Sequence, residues 1–574
     1  MDNAKVAEFF YEIADLLDLQ GVAFKPQSYR RAARNIESLD DDISRIAAEG
    51  RLEEIPGVGE AMAKKIDELV KTGKLGYLDK LRSEVPAGLV ELMHIPDVGP
   101  KTAMILYREL GIESLGQLKV AVEGHKLRDL KGFGEKSEER IIQGIRTLEA
   151  KGARILLGDA LPVAEAIVEY LRSSQTLDRI SIAGSLRRGK ETIGDIDILV
   201  GDDEPARIMD SFVHYGEVRE VLMKGPTKSS IRLKSGLQVD IRAVDTKSFG
   251  AALQYFTGSK EHNVVTRGIG VKLGLKLNEY GLFERDSGRL VAGATEEEVY
   301  KALGLRYMEP ELRENRGEID AAREGKLPEV VRPDQVRGDM HVHTDWSDGS
   351  DSIEVVARHA AGLGYEYVVV SDHSQSLKIT NGLSPERLRK QVDAVRKAED
   401  RLGGKFRILA GSEVDILADG TLDFDKSVLK DLDIVIGSVH SRMKMQKPDM
   451  TRRVVNAVKS GHIDILGHPT GRLIGQRAPF ELEMDELLDA AKEAKVCMEI
   501  NAFKDRLDLN DVNCRLAKEE GVRMAIGTDA HSIEHMGYMR LGVITARRGW
   551  LESGDVLNTL GAKELDRHLR GRRR

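Results

Sequence analysis

Tyr367-Val368-Val369-Val370-Ser371-Asp372-His373 is an unbroken apolar run that stops on side chains able to bind a metal. The same construction returns in Ile434-Val435-Ile436-Gly437-Ser438-Val439-His440, in Ile463-Asp464-Ile465-Leu466-Gly467-His468 and in Met524-Ala525-Ile526-Gly527-Thr528-Asp529-Ala530-His531. Such runs, alternating with helical periodicity, predict parallel strands covered on both faces and a strand-helix barrel. Barrels of this kind carry their functional residues at the carboxyl ends of the strands, which is where these side chains fall. Outward from this stretch, His341-Val342-His343 with Asp348 opens the series and Glu413 lies in its middle. The resulting set is His341, His343, Asp348, His373, Glu413, His440, His468, Asp529 and His531. Mixed imidazole and carboxylate donors suit zinc or manganese, and paired ions would activate water against phosphorus. Any one histidine alone could be a hydrogen-bonded core residue, the reading given to His359, His462, His535 and His568; nine ordered ligands are a metal centre.

The chain has 574 residues, more than one core supports, so several domains are expected. No apolar run reaches membrane-spanning length, and the opening Met1-Asp2-Asn3-Ala4-Lys5 is unlike a secretory signal, which predicts a cytoplasmic protein with no membrane association. Cys497 and Cys514 form neither a disulfide framework nor a paired zinc motif and read as packing residues. The net charge of −8 argues against a uniformly basic surface, so any nucleic-acid contact must come from local patches. Arg570-Gly571-Arg572-Arg573-Arg574 reads as a disordered tail adding weak attraction to polyanions.

A second acidic constellation lies upstream. Asp195-Ile196-Asp197-Ile198-Leu199-Val200 and Leu237-Gln238-Val239-Asp240-Ile241-Arg242 alternate as strands do. The period of two puts Asp195 and Asp197 on one face, with Ile196 and Ile198 toward the core, and a neighbouring strand can bring in Asp240. Three convergent carboxylates suit two magnesium ions about 3.5–4 Å apart. Gly184-Ser185-Leu186-Arg187-Arg188-Gly189, just upstream, offers a close backbone approach, a hydroxyl and guanidinium groups to a triphosphate. That is nucleotidyl-transfer chemistry.

Before this the pattern is helical and repeats a short glycine hairpin: Ile55-Pro56-Gly57-Val58-Gly59, Ile95-Pro96-Asp97-Val98-Gly99 and Leu130-Lys131-Gly132-Phe133-Gly134. Each leads into a helix with a lysine near its start, Lys101 or Lys136 in the second and third. Such glycines let backbone N–H groups approach a phosphate at a helix N-terminus. One copy alone fits an ordinary packing unit equally well; three copies favour DNA, gripped through its backbone without reading sequence.

Gly184-Ser185-x-Arg187-Arg188-Gly189, Asp195-x-Asp197, Asp240 and Tyr255-Phe256-Thr257-Gly258-Ser259 together resemble the palm and thumb of family X DNA polymerases, typified by DNA polymerase beta. The resemblance implies that Asp195, Asp197 and Asp240 hold catalytic metal. It puts Gly184, Ser185, Arg188, Gly189, Gly258 and Arg154 near the triphosphate and has Tyr255-Phe256 line the sugar. Asn263 and Arg267 match positions that meet the incoming base and the template. Gln238 stands where polymerase beta carries arginine. The hairpins resemble helix-hairpin-helix DNA-binding motifs, implicating Gly57, Gly59, Gly99, Lys101, Gly132 and Gly134. The first helical segment resembles the family's small lyase domain, in which Lys65 matches the Schiff-base lysine and Lys25, Tyr29 and Arg30 match neighbouring positions; Lys65 reads either as that nucleophile or as a 5′-phosphate contact.

From His341 onward the pattern resembles the polymerase and histidinol phosphatase (PHP) domain, a distorted seven-stranded barrel with up to three metals. The resemblance assigns His341, His343, Glu413 and Asp529 to one ion, Glu413, His440 and His468 to a second, and Asp348, His373 and His531 to a third. Arg442, Lys444, Arg472 and Arg506 follow these strands and read either as contacts to a phosphate backbone or as solvated loop cations.

The expected fold class is a helical helix-hairpin-helix N-terminal region, an α+β nucleotidyltransferase palm with thumb, and a distorted (β/α)7 barrel. Boundaries are expected at 1–80 for the lyase-like domain, 81–150 for a second hairpin domain, 151–250 for the palm, 251–316 for the thumb, 317–336 for a linker and 337–574 for the barrel. The implied activity is filling of short gaps in DNA from deoxynucleoside triphosphates during base excision repair, by a monomer, with 3′→5′ exonuclease, abasic-site endonuclease and 5′-deoxyribose phosphate lyase activities attached. Two other classes stay open: a polymerase fused to a small-molecule phosphoesterase or pyrophosphatase, and a DNA end-binding scaffold with weak catalysis.

Overall fold

The computed structural model describes residues 3–572 apart from 23–24, 38, 40–42, 87, 94, 96–97, 129, 131–132, 153, 175–176, 178 and 405. The chain divides into two units, Met1–Ala153 and Arg154–Arg574.

The first unit is helical. Glycines delimit its hairpin helices: Gly59 caps the start of Glu60–Thr72 and Gly73 ends it in the left-handed region at φ 71°, while Gly99 and Gly111 do the same for Pro100–Leu110. One apolar core runs from Val6 through Ile66, Leu69 and Leu106 to Ile145, so the two helical segments distinguished in the sequence share it.

The second unit begins with strands β1 (Ile155–Leu156), β2 (Arg179–Ile182), β3 (Thr192–Ile193), β4 (Asp195–Gly201), β5 (Val218–Lys224), β6 (Lys228–Leu233) and β7 (Gln238–Val244). β1 pairs with β3, and the others form a sheet in the order β2-β4-β7-β6-β5. Ile196 and Ile198 are buried beneath it as the alternation required. The thumb follows, with helices Phe249–Thr257 and Lys260–Lys272 and antiparallel strands β8 (Leu275–Asn278), β9 (Gly281–Glu284) and β10 (Leu290–Ala292). The segment read as a linker is ordered: it forms helix Glu318–Glu324, buries Val330 and Val331, and the Val331 amide donates to the Leu551 carbonyl at 2.8 Å.

The barrel strands are β11 (Gly338–Val342), β12 (Tyr367–Val370), β13 (Arg407–Asp415), β14 (Ile434–Ser438), β15 (Ile465–Leu466), β16 (Cys497–Asn501) and β17 (Met524–Gly527). They are parallel, lie in sequence order, and are fully buried except for Arg407. A parallel bridge between Val342 and Ala530 brings the last strand to the first and all but closes the barrel. Cys497 and Cys514 are buried and free of disulfides. The C-terminal helix runs Ala562–Arg572, so Arg570-Gly571-Arg572 end a helix, and Arg573 and Arg574 lie outside the described residues. No helix among the described residues is long and apolar enough to cross a membrane.

Palm and barrel share a core. Leu507 and Leu541 of the barrel are buried with Leu157, Ile167 and Leu186 of the palm, and Arg472, Lys504 and Arg540 pair with Glu191, Asp159 and Glu165 at 2.8–2.9 Å.

Candidate active sites

The register of β4 against β7 sets Asp197 directly beside Asp240 and Asp195 beside Gln238. The alternation that buries Ile196 and Val239 turns these carboxylates to the opposite face. Burial first, then repulsion from Asp195 and Asp240, raises the Asp197 pKa to about 7 against the opposing pull of Lys228 and Arg188. Gly184 closes over this face. It sits at φ 63°, and a Cβ there would lie 2.1 Å from Asp197 Oδ2, so both conformation and space demand glycine. Gln238 Nε2 donates to Asp240 Oδ1 at 3.0 Å, and Lys228 Nζ stands 3.9 Å from Asp240 Oδ2. The donors are all oxygens, the chemistry magnesium takes.

The other polymerase-type residues divide. Arg188 donates to the Thr257 carbonyl and to Glu314 Oε1 at 3.1 Å. Gly189 packs on the barrel, where a Cβ would lie 2.1 Å from Ile544 Cγ2. Arg154 is exposed and donates to Thr192 Oγ1 at 2.8 Å. Tyr255 and Phe256 meet edge to face at 5.1 Å, with the Arg242 guanidinium 4.6 Å from the Phe256 ring centre. Asn263 is buried, and its amide braces the Tyr255 carbonyl at 2.7 Å. Arg267 lies exposed on the same helix and donates to the Asn263 carbonyl at 3.1 Å. Gly258 takes φ 70° beside Arg188.

In the barrel, every sequence-read ligand stands at or just beyond the carboxyl end of a strand, or on the loop that follows it. Glu413 is the hub. Its Oε1 lies 2.8 Å from His468 Nε2 and 3.3 Å from His440 Nε2, while its Oε2 lies 3.6 Å from His341 Nε2, 3.7 Å from His343 Nε2 and 2.8 Å from His373 Nδ1. His343 Nε2 is 3.1 Å from Asp529 Oδ1 and 3.1 Å from His341 Nε2. Asp348 Oδ2 gathers His373 Nε2 at 3.6 Å and His531 Nε2 at 3.3 Å. A tetrahedral ion with bonds of about 2.0–2.2 Å sets its donors about 3.3–3.6 Å apart, the spacing of Glu413 from His440 and His341 and of Asp348 from His373 and His531, whereas the 2.8 Å contacts of Glu413 with His468 and His373 are hydrogen-bond distances. Among the described residues three groups bring one ligand atom from each member within 4.8 Å of one another: His341 with His343 and Asp529, His373 with Glu413 and His440, and Asp348 with His343, His373 and His531. His343 and His373 each stand in two of these groups, where the family resemblance gave each to one, and His373 takes the place beside Glu413 and His440 that the resemblance gave to His468.

Electrostatics divide the imidazoles: burial prevails at His343 and His468, the neighbouring carboxylates at His341, His373, His440 and His531. Burial lowers the His343 pKa to about 3 and that of His468 to about 4, leaving neutral rings with lone pairs to give. Burial opposes charge on His373 too, but Glu413 and Asp348 raise it to about 10. Asp529 holds a left-handed backbone at φ 54°, a conformation few non-glycine residues adopt.

Three carboxylates around this centre carry different roles. Asp372, adjacent to His373, faces away from the ligands and binds Thr344, Ser347 and Gln391. Glu499 and Asp415 escaped sequence reading. Glu499 Oε1 holds His341 Nδ1 at 2.7 Å while Oε2 accepts the His468 amide at 2.5 Å, and Asp415 holds His440 Nδ1 at 2.6 Å. Among the loop cations, Arg506 points at Asp529 Oδ2 at 3.4 Å, and Arg442 and Lys444 are exposed. Arg472 is committed to the Arg506 and Leu507 carbonyls and to Glu191, so it is structural.

In the helical unit Lys65 is half-buried, donates to the Ala61 carbonyl at 3.1 Å and lies 4.7 Å from the Tyr77 ring centre. Burial and then Lys25 lower its pKa. Tyr29 is a core residue stacked on Tyr77 at 6.4 Å, and Arg30 is taken by Asp15 and Asp18 at 2.6 Å each. Gly57 has φ 85°, Lys101 is exposed, and Gly59, Gly99 and Gly134 precede helices. Gly132 and the Lys136 side chain lie outside the described residues.

Comparison with known proteins covers nearly the whole chain. DNA polymerase/3′-5′ exonuclease PolX of Bacillus subtilis (strain 168) is 37% identical, across 99% of this chain and 100% of its own. The chain belongs to the PolX family of DNA polymerases. Family models match for a helix-hairpin-helix domain at residues 1–75, a SAM-like helix-hairpin-helix tandem at 89–147, a DNA polymerase beta thumb at 252–314 and a PHP domain at 339–503. DNA polymerase lambda of Rattus norvegicus is 26% identical over 54% of this chain and 56% of its own. A probable phosphatase of Thermoanaerobacter sp. (strain X514) is 30% identical over 38% of this chain and 89% of its own.

Proposed function

We propose that this PolX-family chain fills short gaps in DNA and trims 3′ ends in base excision repair, drawing on deoxynucleoside triphosphates and gapped or primed DNA. Support comes above all from two separate acidic centres in one chain, one of oxygens alone around Asp197 and Asp240 and one of imidazoles and carboxylates around Glu413.

In the palm, Asp195, Asp197 and Asp240 would hold two magnesium ions, which supply the charge that activates a primer 3′ hydroxyl and neutralises triphosphate oxygens. Gly184 keeps Asp197 in place, and Lys228 offsets part of the acidic charge near Asp240. Ser185, Arg188 and Arg154 meet the triphosphate. Tyr255, held through its carbonyl by Asn263, and Phe256 set the wall against which the sugar lies.

In the barrel, zinc or manganese held by His341, His343 and Asp529, by Glu413, His440 and His468, and by Asp348, His373 and His531 would supply Lewis acidity toward a phosphodiester and water. Glu499 and Asp415 fix the imidazole faces turned toward Glu413. Arg506, beside Asp529, can pair with a phosphate oxygen. Shortening of a 3′ end by this site undoes polymerase growth one nucleotide at a time.

Hairpin amides at Gly57, Gly59 and Gly99 with Lys101 carry backbone contacts to DNA. Lys65, its ammonium form disfavoured, serves 5′-phosphate binding or 5′-deoxyribose phosphate lyase chemistry. The protein is proposed to work as a cytoplasmic monomer, with abasic-site cleavage as an added activity of the barrel.

The match to a probable phosphatase over the barrel supports a second reading, a small-molecule phosphoesterase joined to a polymerase. Product analysis separates the two: nucleoside 5′-monophosphates released from DNA 3′ ends support the exonuclease, whereas inorganic phosphate released from nucleotides without DNA would support the phosphatase.

A further inference from the structure

We propose that Arg548, on the barrel, is a positioning residue for nucleotide binding in the palm: it compensates Glu314 so that Arg188 is free to pass to the incoming triphosphate. The proposal rests on the reading that Arg188 is a triphosphate contact.

Arg548 ends the helix Met539–Arg548, which follows β17 and the ligands Asp529 and His531. Its side chain is 5% exposed. Its Nη1 donates to the Arg188 carbonyl at 2.6 Å and to Glu314 Oε1 at 3.0 Å, and its Nη2 donates to Asp511 Oδ2 at 2.7 Å. The same Glu314 oxygen accepts from Arg188 Nε at 3.1 Å. Two guanidinium groups thus share one largely buried carboxylate, with Lys190 Nζ 4.0 Å from its other oxygen. The loop carrying Arg188 also rests on this helix, since a Cβ on Gly189 would lie 2.1 Å from Ile544 Cγ2.

The sharing decides what Arg188 can do. A buried carboxylate with a single guanidinium partner holds it hard, because release strands an unpaired charge in a poorly solvated place. With Arg548 in place, Glu314 keeps a cation when Arg188 turns to a triphosphate. Without Arg548, moving Arg188 would leave Glu314 facing Lys190 alone. The helix would remain docked when Arg548 is replaced, because Arg547 separately binds Glu311 at 2.7 Å and Glu309 at 3.1 Å.

The test is single-nucleotide gap filling by the full-length protein, with KM for the templated deoxynucleoside triphosphate and kcat measured separately, 3′-end shortening measured in parallel and thermal midpoints recorded. Arg548→Met is expected to raise KM by about tenfold, the worth of one charge-assisted hydrogen bond, with shortening unchanged. Neutralising the carboxylate as well should release Arg188, so Arg548→Met with Glu314→Gln is expected to return KM to within about twofold of the native value. Glu314→Gln alone is expected to lower KM, a result that does not depend on whether Arg548→Met folds. Arg188→Met tests the underlying reading: an unchanged KM there removes the triphosphate contact and this proposal with it. A raised KM in Arg188→Met beside an unchanged KM in Arg548→Met overturns this proposal alone. So does a double variant as impaired as Arg548→Met, which would mark Arg548 as merely structural, and so does a rise in KM for Glu314→Gln.

Discussion

Glu499 Oε1 lies 2.7 Å from His341 Nδ1, and the two are buried together at the centre of the barrel. The bond leaves His341 Nε2 for the ligand side, where Glu413 and Asp529 wait at 3.6 and 3.7 Å. The other Glu499 oxygen takes the His468 amide, so one carboxylate orients ligands of two ion positions. Glu499→Ala is expected to cut 3′-end shortening by about 10- to 100-fold, to lower the metal retained after gel filtration, and to spare primer extension. Equal metal content and equal shortening in the variant would remove Glu499 from the centre.

Glu413 divides its two oxygens between the His440–His468 side and the His341–His343 side. Glu413→Gln should therefore lose more than one equivalent of metal, whereas His468→Ala should lose about one. Elemental analysis of the purified variants reads this directly; equal losses from both would mean that Glu413 does not bridge.

Gly184 has no room for a side chain against Asp197 Oδ2. Gly184→Ala must shift either the strand or the carboxylate, and a displacement of that kind is expected to slow single-turnover extension by about a hundredfold while leaving shortening intact. Extension at the native rate would show that Asp197 is not placed by this contact.

His262, buried in the thumb, bonds Glu318 at 2.7 Å and Tyr300 at 2.9 Å. Burial outweighs Glu318 and lowers its pKa below the ordinary 6.5. The unfolded chain then binds the proton that the folded thumb refuses, so this stability is full above about pH 6.5 and is lost as pH falls through the folded value. The thermal midpoint should drop between about pH 7.5 and about pH 5.5, and His262→Gln should flatten that drop. An identical drop in the variant would place the acid sensitivity elsewhere.

Which features were legible in the sequence follows from distance along the chain. The barrel strands could be read because each apolar run ends on its own ligand, and Asp195, Ile196 and Asp197 declare a two-sided strand within three residues. Glu499 could not, because inside Cys497-Met498-Glu499-Ile500-Asn501 it looks like one alternation of a strand, and its role exists only through His341 across the barrel. Asp372 neighbours a ligand yet points at Thr344, Ser347 and Gln391, which its place at the end of an apolar run does not show. Arg30 matches a position beside the lyase-type lysine, but Asp15 and Asp18, on the preceding helix, are brought against it. The tie between Arg188 and Arg548 spans the domains and leaves no local pattern at all.

Two separate centres in one chain, one proposed to extend DNA and one to shorten it, can be silenced one at a time. The most direct measurement uses a 5′-labelled primer on a one-nucleotide gap with a 5′ phosphate, with magnesium or manganese, with and without nucleotides. The native protein should extend the primer by the templated base when nucleotides are present and shorten it when they are absent. His341→Ala with His343→Ala should abolish shortening alone, and Asp197→Asn with Asp240→Asn should abolish extension alone. Shortening that survives loss of both histidines, or extension that survives loss of both aspartates, would contradict the account.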